Sequence, residues 1–326
     1  MRGADPAGGD AVNTLGVVGG IVQPVVIVAG APLLVGVMRQ VRARLEGRAG
    51  AGVWQPWRDL RKLFGKERIT PRGTSEVFRI APLVLVATTL VVTVVAPFVT
   101  TASAINPVAD LFAVVALLAL GAVALALAGL DTGTAFGGMG SSREVTILAL
   151  VEPTLLVAIF ALSVRVGSTN LGAIVSSTLD DPARVISPVS LLAAVALIVV
   201  IVAETGRLPV DNPSTHLELT MVHEAMVLEY AGPDLALVEL ASAMRLSVFL
   251  GLLANLFLPW GIATSAAPLA VLIGVLALVI KVGVLGVVLA AGEVFLAKLR
   301  LFRVPELLAG SFLLALLSVA ASFFLA

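Results

Sequence analysis

The residues best suited to moving protons lie in one stretch, 204–230. It holds Glu204, Arg207, Asp211, His216, Glu218, His223, Glu224, Glu229 and Tyr230. Carboxylates and imidazoles gain or lose protons as burial and neighbouring charge change, so a hydrated row of them can relay protons. A second set sits within or at the edge of long apolar runs: Glu152, Glu204, Glu239, Arg245, Lys281 and Glu293. An ionised group at the centre of a bilayer costs about 2.5–3.5 kcal/mol on insertion scales. Such groups persist when paired, hydrated or neutral. Structural ion pairs between helices would satisfy that condition, and so would a hydrated proton path. The carboxylates point to the path, while Arg245 suits either.

Finer reading assigns individual expectations. Glu152 precedes Pro153, which has no N–H to give the carbonyl of Ala149, and a water can fill such a gap beside the acid. Lys281 lies about 15–18 Å from the basic end of its apolar run, at 1.5 Å per residue, so its side chain is expected to face the bundle interior and meet a carboxylate or water. Arg207, Pro209, Asp211 and Pro213 break the helix before them, and Asn212 with Pro213 suits the start of a new one. The spacing predicts a helix over 213–230, with Glu218 and Glu229 within about 20° of each other. His216, His223 and Tyr230 gather on the opposite side, with Glu224 between. The two histidines are two turns apart, about 10.5 Å of rise. One ion cannot be shared by both, and no metal site is expected.

These side chains must be positioned by an all-α integral membrane protein. Hydrophobic residues make up 59% of the chain and charged residues 13%, and the mean hydropathy is +1.07. A soluble domain carries about 25% charged residues. Apolar runs of spanning length recur over 15–38, 79–99, 108–130, 145–166, 188–205, 234–258, 267–291 and 305–325. Residues 1–14 read as a flexible N-terminus, and 15–326 as a single eight-helix membrane domain with no repeat. The first run is long enough to be a retained span rather than a cleaved leader. Basic residues crowd the links after the odd-numbered runs, so the positive-inside rule makes 39–78, 131–144, 206–233 and 292–304 cytoplasmic loops and leaves both termini outside the cytoplasmic membrane.

Amphipathic helices are expected in the loops. Residues 53–66 place Trp57, Leu60, Leu63 and Phe64 along one side, with Arg58, Arg61 and Lys62 elsewhere. That pattern suits a helix on the bilayer surface or a platform for a soluble partner. Leu171, Ile174 and Val175 suggest a brief amphipathic turn with no chemistry. The chain has no cysteine, which excludes disulfides and cysteine-ligated iron–sulfur clusters within it. Zero net charge argues against nucleic-acid binding.

Glu204-Thr-Gly-Arg-Leu-Pro-Val-Asp-Asn-Pro and His216-Leu-Glu-Leu-Thr-Met-Val-His-Glu-Ala-Met-Val-Leu-Glu-Tyr-Ala-Gly232 resemble the signature of the complex I subunit 1 family. With Gly137-Gly-Met-Gly-Ser-Ser-Arg-Glu-Val-Thr146 and the stretch from Arg44 through Pro71, the chain is similar over most of 39–310 to the hydrogenase branch. That branch is the formate hydrogenlyase subunit 4 type of membrane-bound group 4 nickel–iron hydrogenases. The quinone-reducing branch runs Pro-Phe-Asp-Leu-Pro-Glu-Ala-Glu where this chain has Pro-Val-Asp-Asn-Pro-Ser-Thr-His, which favours the hydrogenase branch.

The resemblance implies a non-catalytic membrane subunit that joins a redox arm to antiporter-like membrane subunits. Glu204 and Arg207 match a family pair ending the fifth span. Asp211, Glu218, Glu224 and Glu229 match acids of a cytoplasmic funnel, and Glu144 and Glu152 match acids at and within the fourth span. With Glu239 and Lys281 these form the expected coupling path. Arg44, Arg48, Trp54, Trp57, Arg61, His216 and His223 are expected to dock partners. No cofactor is expected in this chain. Nickel–iron and iron–sulfur centres belong to hydrogenase-like large and small subunits and a ferredoxin-like subunit. The rival readings are a quinone-site subunit of NADH-quinone oxidoreductase, a free-standing secondary ion transporter and a passive anchor.

Overall fold

The computed structural model describes residues 6–103, 105, 109–211, 221–297, 299 and 303–324. The described residues form eleven α-helices: α1 Pro6–Leu45, α2 Gln55–Phe64, α3 Glu76–Val95, α4 Leu111–Asp131, α5 Ala135–Val166, α6 Leu171–Asp180, α7 Pro188–Glu204, α8 His223–Val227, α9 Gly232–Phe257, α10 Pro268–Phe295 and α11 Val304–Phe324. Seven of them are long and apolar enough to cross a membrane. The apolar α7 has 17 residues, about 25 Å at 1.5 Å per residue, and is the eighth span. Helices are what lipid permits, because each span satisfies its own backbone.

Side chains set the starts of these helices. Ser75 accepts from the N–H of Val77 at the start of α3, Asp110 from Phe112 at α4, Thr134 from Gly137 at α5 and Ser187 from Ser190 at α7. Gly167, at φ +69°, closes α5 in the left-handed conformation. α9 is the axis of the molecule, buried on all sides from Ala243 to Phe257. It packs on α1, α3, α7 and α10, and α11 closes the far side against α5 and α7. α10 buries one stripe only, Val271, Gly274, Leu278, Val282, Gly286, Ala290 and Glu293. That spacing is the one face of a helix turned to its neighbours.

The links depart from the sequence expectations in three places. Helix α1 begins at Pro6 and runs to Leu45, inside segments read as flexible N-terminus and loop. α5 begins at Ala135, so Glu144 stands within a helix rather than in a loop before one. The helix expected over 213–230 is reduced, among the described residues, to the five residues of α8; 212–220 lie outside them. The physical reason is a set of competing contacts. The Asp211 carboxylate accepts from the N–H groups of Val222 at 3.2 Å and His223 at 3.3 Å, folding the chain back on itself. Downstream, the Tyr230 hydroxyl donates to the carbonyl of Phe78 at 2.8 Å and its ring stacks on Phe78 with centroids 4.1 Å apart.

At the end of the bundle opposite the arginine cluster of α1, the chain leaves α3 and runs through 96–100 as irregular backbone between α1, α9 and α10. The Gln23 Oε1 accepts from the N–H groups of Phe98 at 2.8 Å, Val99 at 2.7 Å and Thr100 at 3.3 Å. The Asn255 amide donates to the carbonyls of Pro97 at 2.9 Å and Phe98 at 2.7 Å. The Ala263 N–H donates to Val99 at 2.8 Å. Gly274 permits this approach, since a Cβ there would stand 2.7 Å from the Val99 carbonyl oxygen. Irregular backbone at membrane depth is tolerated where protein groups pair it.

Candidate functional site

The opposite, arginine-rich end holds the polar cluster. Glu204 is the last residue of α7, and α9 brings Arg245 against it. Nη2 of Arg245 donates to Oε2 of Glu204 at 2.6 Å, and the two side chains are 8% and 4% exposed. Nη1 donates to the carbonyl of Leu118 on α4 at 2.9 Å. Gly121 makes room for this, because a Cβ there would stand 3.1 Å from Nη1. The guanidinium also lies 6.0 Å from the centre of the Phe249 ring, a cation–π distance. From α5, Glu144 and Glu152 project into the field of the same pair, and Asp211 acts on Glu144 as well. Oε1 of Glu152 is buried with no hydrogen-bond partner among the described residues. Three acids from two helices, Glu144, Glu152 and Glu204, therefore share the field of one guanidinium, and Asp211 adds its charge beside Glu144.

A second charge group lies beside it. Glu293, with 1% of its side chain exposed, pairs with Arg42 of α1 and with Arg207 at 3.4 Å. The family-type pair Glu204–Arg207 therefore does not close on itself: each residue takes its partner from another helix. Burial, then Arg42 and Arg39, lower the Arg207 guanidinium to about 10, which leaves it charged at neutral pH.

Between these groups and α2 opens a cavity of about 630 Å³. Arg39, Arg42, Arg48 and Arg207 supply its positive charge. Asp59, Asp211, Glu224 and Glu239 supply the negative. His223 lines it too, its Nε2 3.4 Å from the Ser242 hydroxyl. Burial lowers the pKa of this imidazole; Asp211 acts against that and Arg245 with it. The ring is thus neutral at pH 7.

The structure brings together Glu144, Glu152, Glu204, Arg207, Asp211, Glu224 and Glu239 from the expected path. Glu229 falls in the turn after α8, and Glu218 lies outside the described residues with His216. Lys281 is elsewhere: its Nζ donates to Oδ1 of Asn255 at 3.1 Å, in the packing around 96–100. It faces inward as expected, but its partner is an amide and not a carboxylate.

Of the expected docking residues, Arg44, Arg48, Trp54 and Arg61 are exposed, and Arg48 pairs with Glu46. Trp57 instead donates its indole N–H to the carbonyl of Ala29 on α1 at 3.3 Å. His223 lines the cavity rather than an outer surface. Sequence reasoning missed Arg42, Asp59 and Ser242 as site residues, and it singled out Glu293 as a carboxylate in an apolar run without placing it in the coupling path. Glu293 had a signal, for it continues the buried i, i+3, i+4 stripe of α10.

Fold and site together define a multi-pass membrane subunit with an ionisable cluster at one end of its bundle. The chain belongs to the NADH dehydrogenase family, whose family model matches residues 18–324. It is 36% identical to hydrogenase-4 component C of Escherichia coli over 74% of this chain and 75% of that protein. It is 32% identical to formate hydrogenlyase subunit 4 of Escherichia coli over 88% and 92%. It is 28% identical to NADH-quinone oxidoreductase subunit 8 of Rhodothermus marinus over 70% and 68%. Its fold matches a chain of the membrane-bound sulfane sulfur reductase, an archaeal respiratory membrane complex. The TM-score is 0.80 at 21% identity, over 93% of this chain and 99% of that one.

Proposed function

We propose that this chain is the membrane-anchoring, energy-coupling subunit of a formate hydrogenlyase or group 4 nickel–iron hydrogenase-type complex. The observation that carries the reading is that Glu144, Glu152 and Glu204 share the field of Arg245, next to a cavity that Asp211 helps to line with both signs of charge. Electron transfer in a docked hydrophilic arm changes charge near the cavity. A rearrangement there alters which acids share the field of Arg245, and so which of them hold protons. Protons or another cation then move through neighbouring membrane subunits. The chain itself makes and breaks no substrate bond.

The partners in this reading are hydrogenase-like large and small subunits, a ferredoxin-like subunit and antiporter-like membrane subunits. The nickel–iron and iron–sulfur centres reside in those partners. The arginine-rich end, with Arg39, Arg42, Arg44 and Arg48, faces the cytoplasm by the positive-inside rule, with both termini outside the cytoplasmic membrane. The relatives named for hydrogenase-4 and formate hydrogenlyase support this branch. So does the charged cavity lining, which suits water and ions better than the apolar body of a quinone.

Affinity purification of the chain in mild detergent, with identification of its companions and a nickel assay, tests the reading. Hydrogenase-like subunits and nickel are expected to co-purify. A lone polypeptide that carries ions into liposomes contradicts it.

A further inference from the structure

Helix α2 sorts its charges to two sides. Its acid, Asp59, is held by the amide of Gln55 at 2.8 Å and lines the charged cavity. The other side bears a groove of about 590 Å³ lined by Trp54, Trp57, Arg58, Leu60, Arg61 and Phe64. Trp54 is 61% exposed and Phe64 48%. Arg58 and Arg61 are exposed, and neither forms an ion pair among the described residues. Aromatic rings beside unpaired guanidinium groups are the composition of a headgroup-level surface.

The neighbouring span says what lies there. Val17, Ile21, Val25 and Ala29 form an exposed apolar stripe along α1, each four residues after the last. The stripe ends at the Ala29 carbonyl, which accepts from the Trp57 indole. From Val17 to Ala29 the stripe is about 18 Å long, close to the depth of one leaflet's hydrocarbon. A chain-length apolar track thus leads to a groove with two guanidinium groups.

We propose that this groove binds the phosphate headgroup of an anionic phospholipid whose acyl chain lies along that stripe of α1. Arg58 and Arg61 pair with the phosphate oxygens, and Trp54 and Phe64 seat the glycerol region. A docked acidic protein surface would use the arginines alone, whereas an anionic phospholipid uses both the arginines and the apolar stripe that leads to them.

The test uses the whole complex, purified in mild detergent and exchanged into bilayer discs of phosphatidylcholine with phosphatidylglycerol, followed by native mass spectrometry of retained lipid. Wild-type complex is expected to retain phosphatidylglycerol over phosphatidylcholine by roughly thirtyfold, the preference two cationic side chains give at an anionic surface. Arg58→Gln with Arg61→Gln removes the preference and leaves the subunit composition intact. Equal retention of the two lipids by wild type overturns the proposal, without any reliance on the variant's folding. So does a double variant that keeps the preference, or one that keeps the lipid and sheds a hydrophilic subunit.

Discussion

Both ends of this bundle bury polar side chains, and they use them in opposite ways. At the end away from the arginines, Gln23 and Asn255 direct their amides at backbone. Their hydrogen bonds to Pro97, Phe98, Val99 and Thr100 close gaps left where α3 gives way to irregular chain. These groups are neutral, apart from Lys281 at their edge. At the arginine-rich end the buried groups are charged and come from α1, α5, α7, α9 and α10. One of them, Glu152, keeps an oxygen without a partner among the described residues, and a cavity of about 630 Å³ lies alongside. A satisfied neutral network holds one arrangement. A cluster of acids that compete for few cations can hold several, separated by little free energy. Buried polarity alone therefore does not mark function; charge, incomplete pairing and an adjoining cavity do.

This contrast can be broken first at the neutral network, where the largest loss of stability is expected. Gln23→Leu strands the backbone N–H groups of Val99 and Thr100, since that of Phe98 keeps the Ala96 carbonyl at 3.0 Å, and costs about 2–6 kcal/mol at about 1–3 kcal/mol each. Thermal unfolding of the purified complex should show a steep drop. An unchanged melting point would mean that the irregular segment has other partners.

Arg245→Leu comes next. Leaving Glu204 buried without its cation costs about 3–5 kcal/mol. Adding Glu204→Gln should restore much of that stability without restoring ion movement. Recovery of both in the double variant would place this pair with the structural groups.

A smaller effect is expected at His223, seen as acid sensitivity. Burial depresses its native pKa, so the unfolded chain binds the proton more readily than the folded one. The group carries no cost above its ordinary 6.5. Stability falls as pH drops below that value. His223→Gln should flatten the acid side of the stability profile, and an unaltered profile would contradict the burial argument.

Lys281→Met is expected to do least, within about 1 kcal/mol of wild-type stability, with ion movement retained. Loss of ion movement would move Lys281 back into the path.

The spans were legible in the chain because each apolar run had to be a helix. The acids of 204–230 were legible as a group for a similar reason, since charge so near lipid is costly. Their partners were not. Glu204 and Arg207 are three residues apart in sequence, yet Glu204 meets Arg245 and Arg207 meets Glu293, contacts set by helix packing over long sequence separations. The shortness of α8 among the described residues 221–230 was equally hidden, because Asp211 looked like a helix breaker and acts as an acceptor for the N–H groups of Val222 and His223. Gln23 gave no signal, being one amide in an apolar run, and only the path of 96–100 reveals its use.

The most direct measurement is made on Glu204→Gln in the complete complex, reconstituted into sealed vesicles, with hydrogen turnover and ion movement followed together. The account predicts that turnover persists while ion movement per hydrogen falls at least about tenfold, as expected when one proton-holding group of a relay is lost. An unchanged ratio would contradict it and leave the acids as structural links in a passive anchor.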